Sequence, residues 1–419
     1  MFSASASPIA IDFGSSSIKL LQVAPGDKPT LSAAAEMTIP DAARTDVEQL
    51  FGFLSESLPT VLRAAGFKGK RAICSMPTSQ TLVQHMQLPL NDPTKVDDLV
   101  KGQLMAQLGI APESVVVRVI EVGEVYKTGQ QRKEVICLAI ARDAVMRYVG
   151  LLRKCRLEVV GVHSELIAMQ KAFEHLHRRK GDEKTTTLYV DLGWNQSKVA
   201  IGHGTQLMFA RTIQLGGSQF DQLVSKALQC DLATARHHRL TSDQQRFLTS
   251  GSPVSAAGAP GASAAYAGAG AAAAASSAAS SSGSRQAGAG VAAERRIGQI
   301  PRELRFKVAP GKGPDAPSNV DYTELLDALS DELSMSLRYH QSLFPERPID
   351  RIIFLGGEAR FTGLCQHLAR SLRIPAQLGD PLARFAADAG RLTTPGVNFS
   401  QPQPGWAVVC GLCAAPTDL

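Results

Sequence analysis

Two short segments of this 419-residue chain repeat one chemistry-bearing pattern. Asp12-Phe13-Gly14 closes one apolar run and is followed by Ser15-Ser16-Ser17; Asp191-Leu192-Gly193 closes another and is followed by Trp194-Asn195-Gln196. A glycine lets backbone amides approach an anion closely, and serine hydroxyls add donors for phosphate oxygens. Lys19 adds a point charge suited to outer phosphates. Asp12 and Asp191, each at a strand end, suit a magnesium ion held through its water shell. The phosphate-binding set is therefore Asp12, Gly14, Ser15, Ser16, Ser17, Lys19, Asp191, Gly193 and Asn195. A single Asp-x-Gly also marks many ordinary β-turns, so it is the pairing that carries the reading. A third apolar run, Ile352-Ile353-Phe354-Leu355, ends in Gly356-Gly357-Glu358, where paired glycines permit close approach to a flat group such as adenine.

The elements that must position these residues follow from periodicity. Residues 9–13 and 18–23 read as strands flanking a hydroxyl-rich turn, a hairpin rather than the strand-to-helix step of a Walker loop. Residues 187–193 and 198–201 repeat the device, and a third strand over 207–212 leads into Gly216-Gly217. The core is read as duplicated. A helix is expected over 46–66 from the spacing of Leu50, Leu54, Leu58, Val61 and Leu62, and a strand over 71–75. Residues 81–156 give a β-α-β-β-α unit: strand 81–88, helix 96–108, strands 115–125 and 135–141 joined by the polar stretch 126–133, and helix 143–155. Such a unit can fold as a small inserted subdomain. Residues 251–290 are nearly all Ala, Gly, Ser and Pro, too poor in apolar side chains to offset ordering entropy, and are expected to form a disordered insertion. Beyond it come a helix from near Asp321 carrying Leu325, Leu326, Leu329, Leu333 and Leu337, a strand over 349–357, a helix over 362–372 and an apolar segment over 406–415.

Composition narrows the class. Lys plus Arg is 44 and Asp plus Glu 38, so the net charge of +6 is small and spread along the chain; a nucleic-acid partner is not expected. Seven cysteines in a chain this long make no dense disulfide framework, and a reducing compartment is the simpler expectation. No run of about 18 strongly apolar residues predicts a spanning helix, and the N-terminus lacks the basic and apolar regions of a secretory signal.

Hairpin, hairpin and strand-Gly-Gly, in that order, resemble the nucleotide site of the actin, Hsp70 and sugar-kinase superfamily, and 405–412 resembles its last connecting helix. The unit at 81–156 lies where the FtsA and PilM proteins carry an inserted subdomain. Residues 9–19 and 211–221, Gly356-Gly357-Glu358-Ala359 and Asp380-Pro381-Leu382 look most like the type IV pilus assembly protein PilM family. FtsA normally ends in a basic amphipathic membrane helix, and 414–419 has too little apolar face for one. The cytoplasmic part of the secretion protein GspL is a related possibility.

The resemblance implies an α/β, actin-like two-domain fold of duplicated ribonuclease-H-like cores. Its first domain would comprise 8–80, 157–185 and 381–415; the inserted subdomain 81–156; and the second domain 186–380, including the insertion 251–290. It further implies ATP and Mg2+ between the domains, with adenosine against Gly216, Gly217, Arg239, Gly356, Gly357 and Glu358 and the metal on Asp12 and Asp191 through water. The implied role is a cytoplasmic adaptor, peripheral at the inner membrane through a partner. It would bind the short cytoplasmic N-terminal peptide of a PilN-like membrane protein, in a groove between the inserted subdomain and the body. Other pilus inner-membrane components and motor ATPases are further implied partners, with self-association open. An FtsA-like filament former and a sugar-kinase-branch phosphotransferase, with Asp191 or Glu165 as base, are the alternatives.

The chain departs from this family where relatives carry Ala-Glu followed by Lys beside the ribose. Here the stretch is Ala235-Arg236-His237-His238-Arg239, with Arg239 standing in for the lysine and Arg236 in place of the acid. Trp194 is bulky for a phosphate turn. Glu165 lies roughly where the superfamily places a residue that orients the attacking water, although on its own it reads as a surface acid on a helix over 164–176. An ATP-binding switch is expected, with at most weak hydrolysis. Cys410-x-x-Cys413 falls in an apolar helix and reads as packing rather than a metal site, His237-His238 as side chains pointing apart, and the basic run 175–180 as a solvated helix end.

Overall fold

Ile9, Ala10, Ile11, Asp12 and Phe13 are all buried although their side chains alternate in direction, because strand β1 (Ile9–Phe13) lies in the middle of a sheet covered on both faces. The structure, a computed structural model, describes residues 6–24, 26, 29–90, 94–127, 129–250, 320–385 and 401–417. The expected disordered insertion 251–290 lies outside the described residues. Around β1 stand β2 (Ser17–Ala24), β3 (Thr30–Thr38), β4 (Arg71–Met76) and a later strand at Glu158–Ser164; in space they run β3, β2, β1, β4 and that strand. β1 and β2 are antiparallel, while β1 and β4 are parallel.

A smaller sheet follows in sequence from β5 (Thr81–Pro89), β6 (Val115–Lys127) and β7 (Gln130–Ala141), with β7 in its middle. The polar stretch 126–133, read from sequence as a loop, is mostly strand: Tyr126 pairs with Gln131 and Lys127 with Gln130. Gly129 at φ 76° supplies the left-handed residue of a tight hairpin, and that turn signal outweighs the polarity of the flanks. The strand Glu158–Ser164 is β8. Strands β9 (Thr186–Leu192), β10 (Ser197–His203), β11 (Gln206–Ile213), β12 (Arg351–Leu355) and β13 (Ala376–Leu378) form the third sheet, ordered β11, β10, β9, β12, β13. The first and third sheets share one plan, an antiparallel three-strand meander followed by two parallel strands. The duplication read from the two hairpins is thus present in whole sheets.

Helices fill the faces. Asp46 caps the helix Val47–Ala64 through the amides of Glu48 and Gln49, and Leu54, Leu58 and Leu62 are its buried stripe. The helix Arg142–Lys154 turns Tyr148, Leu151 and Leu152 into the same apolar core as Val47–Ala64 and the first sheet. The three-stranded sheet packs the helix Val96–Leu108 through Val100 and Leu104 on one face. Its other face, with Ile136 and Leu138, joins the core that holds Met208 and Ala210 of β11. The helix read over 164–176 is shorter, Glu165–Lys171, with a single 3-10 turn at Glu174–His177. None of the seven cysteines is in a disulfide, and Cys410 and Cys413 fall in or beside the apolar helix Ala407–Leu412. Among the described residues no helix is long and apolar enough to cross a membrane.

The long helix Thr323–Leu343 buries Leu325, Leu329 and Leu333 and also His340, whose Nε2 has no hydrogen-bond partner among the described residues. Burial pushes the imidazole pKa down to about 4, with Arg347 and His203 acting in the same direction. The unfolded chain therefore binds the proton between about pH 6.5 and 4 while the native one does not, and stability present above 6.5 is lost as pH falls through that window. His340→Leu is expected to remove a fall of roughly 3 kcal/mol across it. Urea midpoints measured from pH 7 to 4 check this, and an unchanged slope in a folded variant would refute it.

Candidate functional site

The two turns have the same geometry. Phe13 pairs with Ile18 around residues 14–17, and Leu192 pairs with Ser197 around residues 193–196. A Cβ on Gly14 would sit 2.7 Å from the Ser17 carbonyl oxygen, and one on Gly193 would sit 2.6 Å from that of Gln196. Neither turn tolerates a side chain at its first position. Ser15 and Asn195 are exposed at the tips, Ser16 is half-buried and Ser17 buried. One residue further in, the ladders set Asp12 opposite Lys19 and Asp191 opposite Lys198.

Asp12 is buried and accepts a hydrogen bond from Ser75 Oγ at 2.9 Å. Burial and then the Glu165 charge push its pKa up to about 6, against Lys198, Lys19 and the Ser75 hydroxyl. The expectation of a solvated surface acid at Glu165 fails. This residue is 4% exposed, because β8 delivers it to the sheet ends, where its Oε2 accepts from the amide of Thr78 at 2.9 Å and from the Thr78 hydroxyl. Lys198 Nζ lies 3.3 Å from that same Oε2 and 3.2 Å from Asp191 Oδ2. Burial alone would lower the lysine pKa, but Asp191, Glu165 and Asp12 outweigh it and raise it, so the ammonium stays charged.

Lys19, expected near outer phosphates, donates to Ser17 Oγ at 2.8 Å and lies 3.4 Å from Glu36 Oε1. Ser17 Oγ donates to the same Glu36 oxygen at 2.7 Å. Burial opposes the Glu36 charge, yet Lys19 and Ser17 hold its pKa below the usual range.

The residues expected around adenosine are brought together and occupied by one another. Gly216 packs on the second turn, a Cβ there meeting Gly193 O and Trp194 O at 2.5 and 2.7 Å. The amides of Gly217 and Ser218 donate to those same two carbonyls at 3.0 and 2.7 Å. The space a Gly217 side chain would take is filled by the Glu358 carboxylate. Gly356, at φ 87°, sits against Leu192 O and Asp191 Oδ1, whereas a Cβ on Gly357 would face open space. Arg239, the expected lysine substitute, is 1% exposed and forks onto Asp221 Oδ1 through Nε and Nη2 at 2.9 and 2.7 Å. Its Nη2 also donates to Glu358 Oε2 at 2.7 Å. Arg236 Nη2 reaches Glu358 Oε1 at 3.0 Å, so the carboxylate lacking at position 236 is present nearby as Glu358. Trp194 turns its Nε1–H to Asp221 Oδ2 at 3.0 Å and lies beneath Arg44, 5.0 Å from the ring centre.

The turn tips Ser15 and Asn195 are exposed, and a Cβ on Gly357 would meet no described atom within 4 Å. A divalent ion fits poorly, since an ammonium already stands between Asp191 and Glu165. Among the described residues no group of three or more His, Cys, Asp and Glu side chains is arranged to hold a metal. Sequence reasoning missed Lys198, Thr78, Ser75, Glu36 and Asp221. Lys198 had a signal: it stands seven residues after Asp191, as Lys19 stands seven after Asp12.

A family model described as type IV pilus assembly protein PilM matches residues 10–246. Among solved structures the chain is similar to a PilM–PilN type IV pilus biogenesis complex, with 17% identity and a TM-score of 0.67 over 97% of this chain and 98% of that one. It is also similar to the ethanolamine utilization protein EutJ from Carboxydothermus hydrogenoformans, with 11% identity and a TM-score of 0.47 over 97% and 88%. No curated protein sequence matches the chain. The fold is the actin-like one expected from the hairpins.

Proposed function

Because the chain belongs to the type IV pilus assembly protein PilM family, we propose that it is a cytoplasmic adaptor of a pilus assembly complex, held at the inner membrane by the N-terminal peptide of a PilN-like protein. The fold likeness to a PilM–PilN complex supports the partner. The observation that carries a docking site is a groove of about 450 Å³ between the helices Val47–Ala64 and Arg142–Lys154. Phe51 and Met146 give it apolar walls, and Glu48 pairs with Arg147 at 2.7 Å within its lining. Two helical glycines, Gly52 and Gly150, lie in the lining, and a Cβ on either would meet nothing within 4 Å. Helical glycine weakens a helix, so two of them facing one groove leave room for another main chain to come close. An extended peptide with apolar side chains over Phe51 and Met146 suits that shape.

Gly150→Leu fills this groove without touching the core. The variant is expected to be as stable as wild type or better by about 0.5–1 kcal/mol, and to weaken a fluorescent PilN-type N-terminal peptide at least about tenfold in an anisotropy titration. Undiminished affinity in the stable variant removes the groove assignment, and a wild-type protein that ignores every such peptide removes the adaptor reading.

Nucleotide binding is the second part of this reading. The exposed tips Ser15 and Asn195 support phosphates held between the turns, and the open side of Gly357 supports the adenosine beside them. Mass spectrometry of nucleotide released from freshly purified protein tests it. An empty protein that also ignores added ATP would overturn it.

A further inference from the structure

We propose that the Lys198 ammonium is the resident cation between the two halves, bridging Glu165 to Asp191, one of the two carboxylates expected to hold a divalent ion, so that the halves are joined there without metal.

The geometry carries the inference. Glu165 follows β8 of the first sheet, whereas Asp191 and Lys198 face each other across β9 and β10 of the third. Nζ lies 3.2 Å from Asp191 and 3.3 Å from Glu165, so one ammonium bridges carboxylates from both halves. All three residues are buried, as is Asp12 beside them, and buried carboxylates need a counter-charge within hydrogen-bond reach. The lysine supplies it from a stem anchored in the middle of a sheet. An incoming cation would meet that ammonium at contact distance, in a medium where like charges repel strongly.

The first hairpin gives the internal comparison. Lys19 has the same register opposite Asp12, but its ammonium turns to Ser17 and Glu36. Of two equivalent lysines, one pairs within its own sheet and the other crosses the cleft. The inference stands whether or not a nucleotide binds. Where one does, it predicts that chelating divalent ions leaves binding intact.

The probe is Mn2+, followed by isothermal titration and by thermal unfolding of the full chain. Wild type is expected to show no Mn2+ binding at this site and no change of Tm on going from EDTA to millimolar Mn2+. Lys198→Ala leaves room and takes the counter-charge from Glu165 and Asp191, so its Tm should drop by roughly 5–10 °C in EDTA and recover with Mn2+. Lys198→Met fills the room with an uncharged chain and should drop similarly without recovery. If Lys198→Ala is recovered only in Mn2+ and unfolds on chelation, the proposal is supported in stronger form. Tight Mn2+ binding by wild type that is lost in Asp191→Asn overturns the proposal, and so does a Lys198→Ala protein that folds stably and ignores Mn2+.

Discussion

Arg239→Met should lower stability by about 3–5 kcal/mol, the usual result of removing one partner from a buried ion-pair network. The guanidinium is fully enclosed and serves two carboxylates, Asp221 and Glu358, each almost without solvent. It also lies 5.3 Å from the centre of the Phe361 ring, so packing is lost with the charge. Burial already raises the Asp221 pKa, with Arg239 as the main opposing influence. Without it Asp221 keeps only the Trp194 N–H and Glu358 only Arg236, and the Asp221 pKa rises further above its unfolded value. The variant should therefore gain stability as pH falls from 7 towards 5, in a window where the native state binds protons that the unfolded state does not. Adding Asp221→Asn and Glu358→Gln should restore part of the loss, because no buried carboxylate is left to desolvate and Arg236, about a quarter exposed, keeps contact with water. Urea denaturation at pH 7 and 5 measures all of this. A loss under about 1 kcal/mol with no pH dependence would mean that the network is hydrated rather than dry.

A second large effect is expected at Gly411. The helices Glu165–Lys171 and Ala407–Leu412 pack so closely that a Cβ on Gly411 would run into the carbonyl oxygen of Ala168. Backbone cannot yield as a side-chain end does, so the helices must separate. Gly411→Ala should cost about 3 kcal/mol, at the upper end for overpacking, and Gly411→Leu should leave little folded protein. The separation would also move Glu165, the first residue of its helix, away from Lys198. Chemical denaturation of Gly411→Ala checks the first point. A change within 0.5 kcal/mol or so would show that the contact relaxes freely.

Much of the scaffold was written locally. Asp-x-Gly followed by a short, mostly polar stretch forces a tight hairpin because of contacts between residues three apart, and Gly14 with Ser17 and Gly193 with Gln196 show those contacts. The amphipathic spacing of Leu54, Leu58 and Leu62 made the helix Val47–Ala64 legible in the same way. The turn at Gly129 was equally local, and it was misread because polar flanks were weighed above the glycine.

The electrostatics of the cleft depended on distant neighbours. Sequence assigned Asp12 and Asp191 to a metal through water and Glu165 to a surface, reading each beside its own chain neighbours. Yet Glu165 meets Lys198 across 33 residues, and Arg239 meets Glu358 across 119. Such pairs follow from how two separately formed sheets and their helices lie against one another. The residue types and the duplicated hairpins were therefore determined by the sequence, through sterics and periodicity along short stretches. Which charges are buried, which neutralise one another and which place stays open for a ligand were decided only by tertiary packing, because desolvation and Coulomb pairing act through space.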